Sequence, residues 1–266
     1  MTTPPDDPDL PARMRASAFI RDAERRMQQA WFRSASRWMD RVRPTVTGGG
    51  QIQPSNVGQH TAFWGQLMAE EVLPQSASLF ARVRNRITGR AEPVTDPDAA
   101  RFLNEAGNRL VRLPDEVYAL IVREVEEGIA RGESIPDIAQ RINTVLTATG
   151  SERWPNRAVT VARTEVMAAV NAGAFAGAVR DAERRGDPAP FKVWLATEDA
   201  RTRESHREAD GQRTLLTSPF IVGPTRAQLQ YPGDPSGPPE EVINCRCSLL
   251  PVVLGETLDW TNRADP

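Results

Sequence analysis

Apolar residues recur at helical intervals over most of the first 185 positions. Ile20, Met27, Trp31 and Trp38 follow at steps of seven, four and seven, which lines them on one face of a helix from about Arg13 to Arg43. Pro44 and the run Gly48-Gly49-Gly50 then break the pattern. Phe63, Trp64, Leu67, Met68 and Val72 predict a second helix, closed by Pro74, and a short helix is expected over 76–89. Asp96-Pro97-Asp98 places a proline in the first turn of a helix over 98–111. Pro114-Asp115-Glu116 opens another, running to about Ala130 and ended by Gly132. Ser134 caps the segment Ile135-Pro136-Asp137-Ile138, which continues to about Leu146. A long Ala- and Val-rich helix follows, from about Arg157 to Arg185. Its small residues let neighbours approach closely, so it is expected at the centre of a bundle.

The period changes at Gly186. Phe191-Lys192-Val193-Trp194-Leu195 alternates like a strand, Phe220-Ile221-Val222 reads as a short strand, and 242–254 as a last apolar strand region. Residues 199–210 are polar and have room for one helical turn or two. Between them, 231–241 is too rich in proline and glycine for regular structure. The fold class is therefore α+β, a mainly helical N-terminal part followed by a small β-rich C-terminal module. The expected organisation has four parts. Residues 1–47 form a disordered tip, a basic amphipathic helical arm and a glycine hinge. Residues 51–186 form a helical domain, 187–255 the β-rich module, and 256–266 a tail.

Composition narrows the classes. The 266 residues are 39% hydrophobic and 26% charged, enough to bury a core in one large domain or two ordinary ones. No stretch approaches the ~20 apolar residues of a membrane span, so no membrane role is expected. The polar, acidic, proline-rich first ten residues fit no secretory leader. Two cysteines exclude a disulfide scaffold. The net charge of -2 hides an uneven distribution. Lys192 is the only lysine. From Arg13 to Arg43 nine arginines stand against Asp22, Glu24 and Asp40, a local charge of +6 that leaves -8 elsewhere. A basic segment on an acidic body predicts an acidic partner, either nucleic acid or a protein ring, and the plainer reading is a solvated helix face. Trp31 and Trp38, with Arg25, Arg26, Arg33 and Arg37, are the expected docking residues, since aromatics and arginine dominate interface hot spots.

The candidate chemistry lies in the last third. In an extended chain, Cys245 and Cys247 point to the same face, where a shared metal suits the geometry better than a strained small-ring disulfide. Zinc prefers such ligands, and His206 is the natural third. Asp210, one helical turn from His206, is the expected fourth ligand, with Asp199 as the alternative. The competing reading is two buried reduced thiols and a surface histidine. The other histidine, His60, lies beside polar residues and reads as a surface or cap residue. Glu204 and Glu208 flank His206 and offer a base on paper for a zinc hydrolase or nuclease. No metalloprotease, deaminase, phosphate-loop or serine-hydrolase motif accompanies them. Asp199 and Arg201 are expected to pair and brace their loop.

Three strings together carry a resemblance. The first is Trp194-Leu195-Ala196-Thr197-Glu198-Asp199-Ala200-Arg201-Thr202-Arg203-Glu204-Ser205-His206, followed by Asp210-Gly211. The second is Ile243-Asn244-Cys245-Arg246-Cys247, beyond Phe220 and the Pro/Gly loop. The third is Ala162-Arg163-Thr164-Glu165-Val166, with Asn171 and Ala172 further on. The combination resembles the Mu F-like family of phage minor head, or head morphogenesis, proteins, over about residues 115–254. The resemblance implies a non-enzymatic virion-assembly role beside the portal protein, inside the head near the portal vertex, with host cytoplasm as the site of assembly. Major capsid or scaffolding protein and non-specific contact with DNA phosphates are the further partners considered. Two other functions compete: the zinc-dependent hydrolase or nuclease, and a DNA-binding internal virion protein without portal contact. Relatives with a cysteine pair at the positions of Arg203 and His206 would have a four-ligand metal knuckle. This chain keeps His206, Cys245 and Cys247, which implies a structural zinc lacking one ligand.

Overall fold

The computed structural model describes residues 18–47, 54–111, 113–149, 154–197 and 199–258. The expected disordered tip and the Gly48–Gly50 hinge lie outside them. The helices are α1 (Ala18–Thr47), α2 (Pro54–Leu67), α3 (Leu73–Thr88), α4 (Pro97–Leu110), α5 (Leu113–Ala130), α6 (Ile135–Ala148) and α7 (Trp154–Arg185). After them come β1 (Phe191–Leu195), the one-turn α8 (Glu204–Glu208), β2 (Arg213–Leu215), β3 (Phe220–Val222), β4 (Ala227–Leu229), the short α9 (Pro239–Val242), β5 (Ser248–Val253) and β6 (Glu256–Thr257). The class is α+β, as the change of period required. No described helix is long and apolar enough to cross a membrane.

Two prolines expected to end helices do not. Helix α1 continues past Pro44 to Thr47. At Pro74 the chain widens instead: Met68–Val72 is a π-helical turn that leads directly into α3. Proline lacks the N–H that would bond the carbonyl four residues back, and a wider turn just before it accommodates that loss. The expected tail begins as strand β6.

The described residues cluster into two units. One comprises 28–74 and 107–159. Its core is aromatic: Trp64 meets Trp31 and Trp38 edge-on, each at 6.1 Å. Trp38 Nε1 donates to the His60 carbonyl at 2.8 Å, and the His60 ring stacks on Tyr118 and bonds its hydroxyl. His60 is thus buried, not a surface residue, and burial lowers its pKa. Trp31 and Trp38 are 1% and 0% exposed. They are core residues, so the expectation that they dock a partner is corrected: a side chain already packed by its own fold has no face left to offer. In the same unit Ser134 and Asp137 form a capping box at the start of α6, and Arg141 bridges Glu124 and Glu127, both at 2.8 Å.

The other unit comprises 18–27, 75–106 and 160–258 of the described residues. Within it α7 is the spine. A Cβ on Gly173 would stand 2.4 Å from the Phe80 carbonyl oxygen of α3, and one on Gly177 2.9 Å from Ile87 Cβ. These glycines permit the close approach that the small-residue pattern predicted. The sheet is antiparallel, in the order β2-β1-β5-β6, with Val193 opposite Leu250 and Phe191 opposite Leu215. Strands β3 and β4 form a separate hairpin. Every residue of β5 is buried, and after Ser248 it is a continuous apolar run rather than an alternation. The sole lysine, Lys192, is fully buried on β1. Its Nζ donates to Gln230 O and Oε1 and lies over the rings of Phe175 and Phe220.

The basic arm is also less free than its +6 suggested. Arg33 and Arg37 both reach Glu71, and Arg25 and Arg26 both reach Asp22.

Candidate metal centre

His206, Cys245 and Cys247 converge, with one ligating atom from each lying within 4.8 Å of the others. His206 arrives on the one-turn α8. The loop before it is folded by Asp199, whose Oδ1 accepts from Arg201 N and Thr202 Oγ1. The cysteines arrive on the extended stretch between α9 and β5. Asn244, at φ +61, turns the chain into that stretch. Helix α7 holds it from behind. Thr164 Oγ1 accepts from Asn244 N at 2.8 Å, and Arg163 donates to Asn244 Oδ1. Asn171 is fully buried and makes three bonds: Nδ2 donates to the carbonyls of Pro232 and Cys247, and Oδ1 accepts from Leu249 N. Asn171 therefore clamps the chain across Ser248, immediately after Cys247.

The internal geometry suits a tetrahedral ion. His206 Nδ1 lies 3.3 Å from Cys247 Sγ and 3.8 Å from Cys245 Sγ. Zinc bonded at ordinary lengths to one nitrogen and two thiolates would separate nitrogen from sulfur by about 3.6 Å. Both cysteines are free thiols and all three side chains are buried. The thiols are driven apart in acidity: the hydrogen bond between them raises Cys245 and lowers Cys247, and the proximity of His206 lowers Cys247 further. The indole of Trp194 closes one side, edge-on to His206 at 5.2 Å.

The imidazole has a second neighbour. Glu241 Oε2 lies 3.1 Å from Nε2, yet Nε2 has no aligned hydrogen bond. Ser205 Oγ donates to the same carboxylate oxygen at 2.8 Å. Cysteine, histidine and glutamate in this order would also describe an activated nucleophile, its base and an orienting acid. That use requires substrate to reach the sulfur, and Cys247 is 2% exposed. A buried nitrogen-and-sulfur donor set is of the kind that holds zinc, here with three protein ligands.

The expected fourth ligands are elsewhere. Asp210 Oδ1 accepts from Ala196 N at 2.7 Å and so ties the end of β1 to the end of α8. Asp199 is held by Arg246, with Nη2 to Oδ1 at 2.6 Å and a second short bond beside it. That pairing holds the Asp199 carboxyl well below the usual carboxylate range. The expected Asp199–Arg201 ion pair is corrected accordingly: Arg201 contributes its backbone N–H, and the guanidinium is that of Arg246. The alternation that turns both sulfurs inward turns the residue between them outward, onto Asp199. Arg203 donates to the Ile243 carbonyl, where the resemblance had implied a lost ligand. Glu204 is exposed, pairing with Arg207, and Glu208 is also exposed. Sequence reasoning missed Glu241 and Ser205. Glu241 sits 35 positions from His206, behind a Pro/Gly loop, and no spacing rule links them.

The region that carries this cluster resembles known proteins. The family described as "Phage Mu protein F like protein" matches residues 119–250, a span that includes all three candidate ligands and Asn171. The chain is 29% identical over 162 residues to an NAD(+)–arginine ADP-ribosyltransferase named EFV from Enterococcus faecalis, covering 61% of this chain and 31% of that protein. It is 28% identical over 146 residues to the minor head protein GP7 of Bacillus phage SPP1, covering 53% of this chain and 42% of that protein. The chain thus spans less than half the length of either curated relative. No solved structure matches it. Residues 119–250, which carry the Cys-Arg-Cys segment, its histidine partner and the helix that clamps them, place this part of the chain in the family of proteins like phage Mu protein F.

Proposed function

We propose that this chain is a minor head protein of a phage or prophage, incorporated into the virion inside the head at the portal vertex after assembly in the host cytoplasm. The observation that carries the reading is the family match over residues 119–250, together with the similarity to a protein named as a minor head protein. The portal protein is the principal partner, with major capsid or scaffolding protein as further contacts. The role is to support head assembly, DNA packaging or ejection. The docking surface is reassigned from the buried tryptophans to exposed residues. Arg25 and Arg26 pair with Asp22, and Arg33 and Arg37 with Glu71, so these four arginines give less support to non-specific contact with DNA phosphates than to a protein contact.

The role is non-enzymatic in this reading. The burial of the Cys–His–Glu group supports it. The transferase named above shares 31% of its length with this chain, and its activity is a property of that whole protein. His206, Cys245 and Cys247 would hold a structural zinc ion. Such a staple joins α8 to the start of β5 in a module with a small core of its own.

Two measurements test the reading. Mass spectrometry of purified particles should find the chain in the virion. The full-length chain should also co-purify with the portal ring of the same phage. Absence from particles, together with no portal binding, overturns the proposal. A salt titration with duplex DNA checks the DNA-binding alternative: tight, steeply salt-dependent binding without portal contact would replace our reading with it.

A further inference from the structure

A neutral imidazole offers one donor nitrogen and one acceptor nitrogen, and only the acceptor can bind a metal. In His206 the two nitrogens face different groups. Nδ1 faces both sulfurs, at 3.3 and 3.8 Å, and Nε2 faces the Glu241 carboxylate at 3.1 Å. Nε2 is buried and lacks an aligned partner. A small rotation of ring or carboxylate would complete that bond.

Glu241 is held for such a purpose from three sides. It is 5% exposed, and a buried carboxylate is costly without compensating donors. Ser205, the residue before His206, donates to its Oε2. Its backbone is set in α9, where Glu241 N bonds the Pro238 carbonyl at 3.0 Å. The turn after β3 supplies the third side. A Cβ on Gly223 would stand 2.4 Å from Glu241 Oε1, and Gly223 has φ +69. Only glycine leaves the carboxylate its place there.

We propose that Glu241 is a positioning residue that fixes His206 as the Nε2–H tautomer and thereby presents the Nδ1 lone pair to a metal shared with Cys245 and Cys247. The proposal rests on the zinc reading above. It assigns Glu241 the part of an outer acceptor and not that of a fourth ligand, because it faces the nitrogen that points away from the sulfurs. Outer carboxylates of this kind orient the ring and raise its basicity toward the ion.

The test uses the full-length reduced chain. Nitrogen-15 NMR of the metal-free protein reads the tautomer directly. The chain has two histidines, and His60, in the other unit, serves as the internal reference. Zinc affinity is then measured by competition with a chromophoric chelator for the native chain and for Glu241→Gln. The expected results are an Nε2–H ring in the native chain and an affinity about 10–100-fold weaker in the variant. An Nδ1–H ring, or a variant that binds zinc within about twofold of native, overturns the role of Glu241 while leaving the metal site standing. A native chain that binds no zinc overturns the metal reading and this inference together. The tautomer measurement needs no variant to fold.

Discussion

Asn171→Ala offers the most direct check on how the metal strand is held. Asn171 lies in α7 with no solvent exposure, and its amide serves three backbone groups: the carbonyls of Pro232 and Cys247, at 2.8 and 2.9 Å, and the N–H of Leu249, at 3.0 Å. Alanine leaves all three buried and unpaired. An abandoned buried polar group costs about 1–3 kcal/mol, and water entering the vacated space recovers part of that. The expected loss is therefore about 3–5 kcal/mol, a large share of the ~5–15 kcal/mol that holds an ordinary domain together. Asn171→Asp should be of similar severity despite its matching shape, because it removes both donors and turns a carboxylate toward two carbonyl oxygens. Urea denaturation followed by far-UV circular dichroism measures the loss. The chain has two units and need not unfold in one step, so amide exchange across 245–252 localises the effect. A loss below about 1 kcal/mol for Asn171→Ala, with unchanged exchange in that segment, would refute the account of Asn171 as the clamp on the Cys-Arg-Cys strand.

Three further outcomes are expected. Trp38→Ala should cost about 3–5 kcal/mol by emptying the aromatic core around Trp64. Unchanged thermal stability with lost portal binding would restore it as a docking residue. Glycine substitutions should differ in sign. Gly173→Ala drives a Cβ against the Phe80 carbonyl and should destabilise by about 1–3 kcal/mol, whereas Gly65→Ala meets nothing within 4 Å inside α2 and should stabilise by about 0.5–1 kcal/mol, both read as shifts in the denaturation midpoint. Burial lowers the pKa of Lys192 from the ordinary 10.5 to about 7, with Asp234 opposing. The unfolded chain then binds the proton that the folded chain has given up, so the Lys192 contribution to stability should rise as pH climbs from about 7 to 10.5. Lys192→Met should flatten the stability profile over that interval, and an unchanged slope would show that Lys192 keeps its charge in the fold.

Local spacing along the chain identified most of the helices, two of the strands and their apolar faces. Helical spacing placed Trp31 and Trp38 on one stripe. The Ser134 cap and the Asp96-Pro97 start each performed locally as their chemistry required. The two-residue period at Cys245 and Cys247 put both sulfurs on one side. These properties depend on neighbours within a few positions, where backbone geometry alone decides. Tertiary structure decided what each face meets. A stripe of tryptophan reads the same whether it covers a partner or fills a core, and packing against Trp64 settled the matter. Asp199 had an arginine two positions away and paired instead with Arg246, 47 positions on, because the turned-in sulfurs left that guanidinium facing it. Glu241 reached His206 across a loop whose length carries no period. Such partnerships are set when α7, α8, α9 and β5 close around one buried volume. The pairing of a charge or a ligand there follows from which groups lose water together, and no local spacing records that.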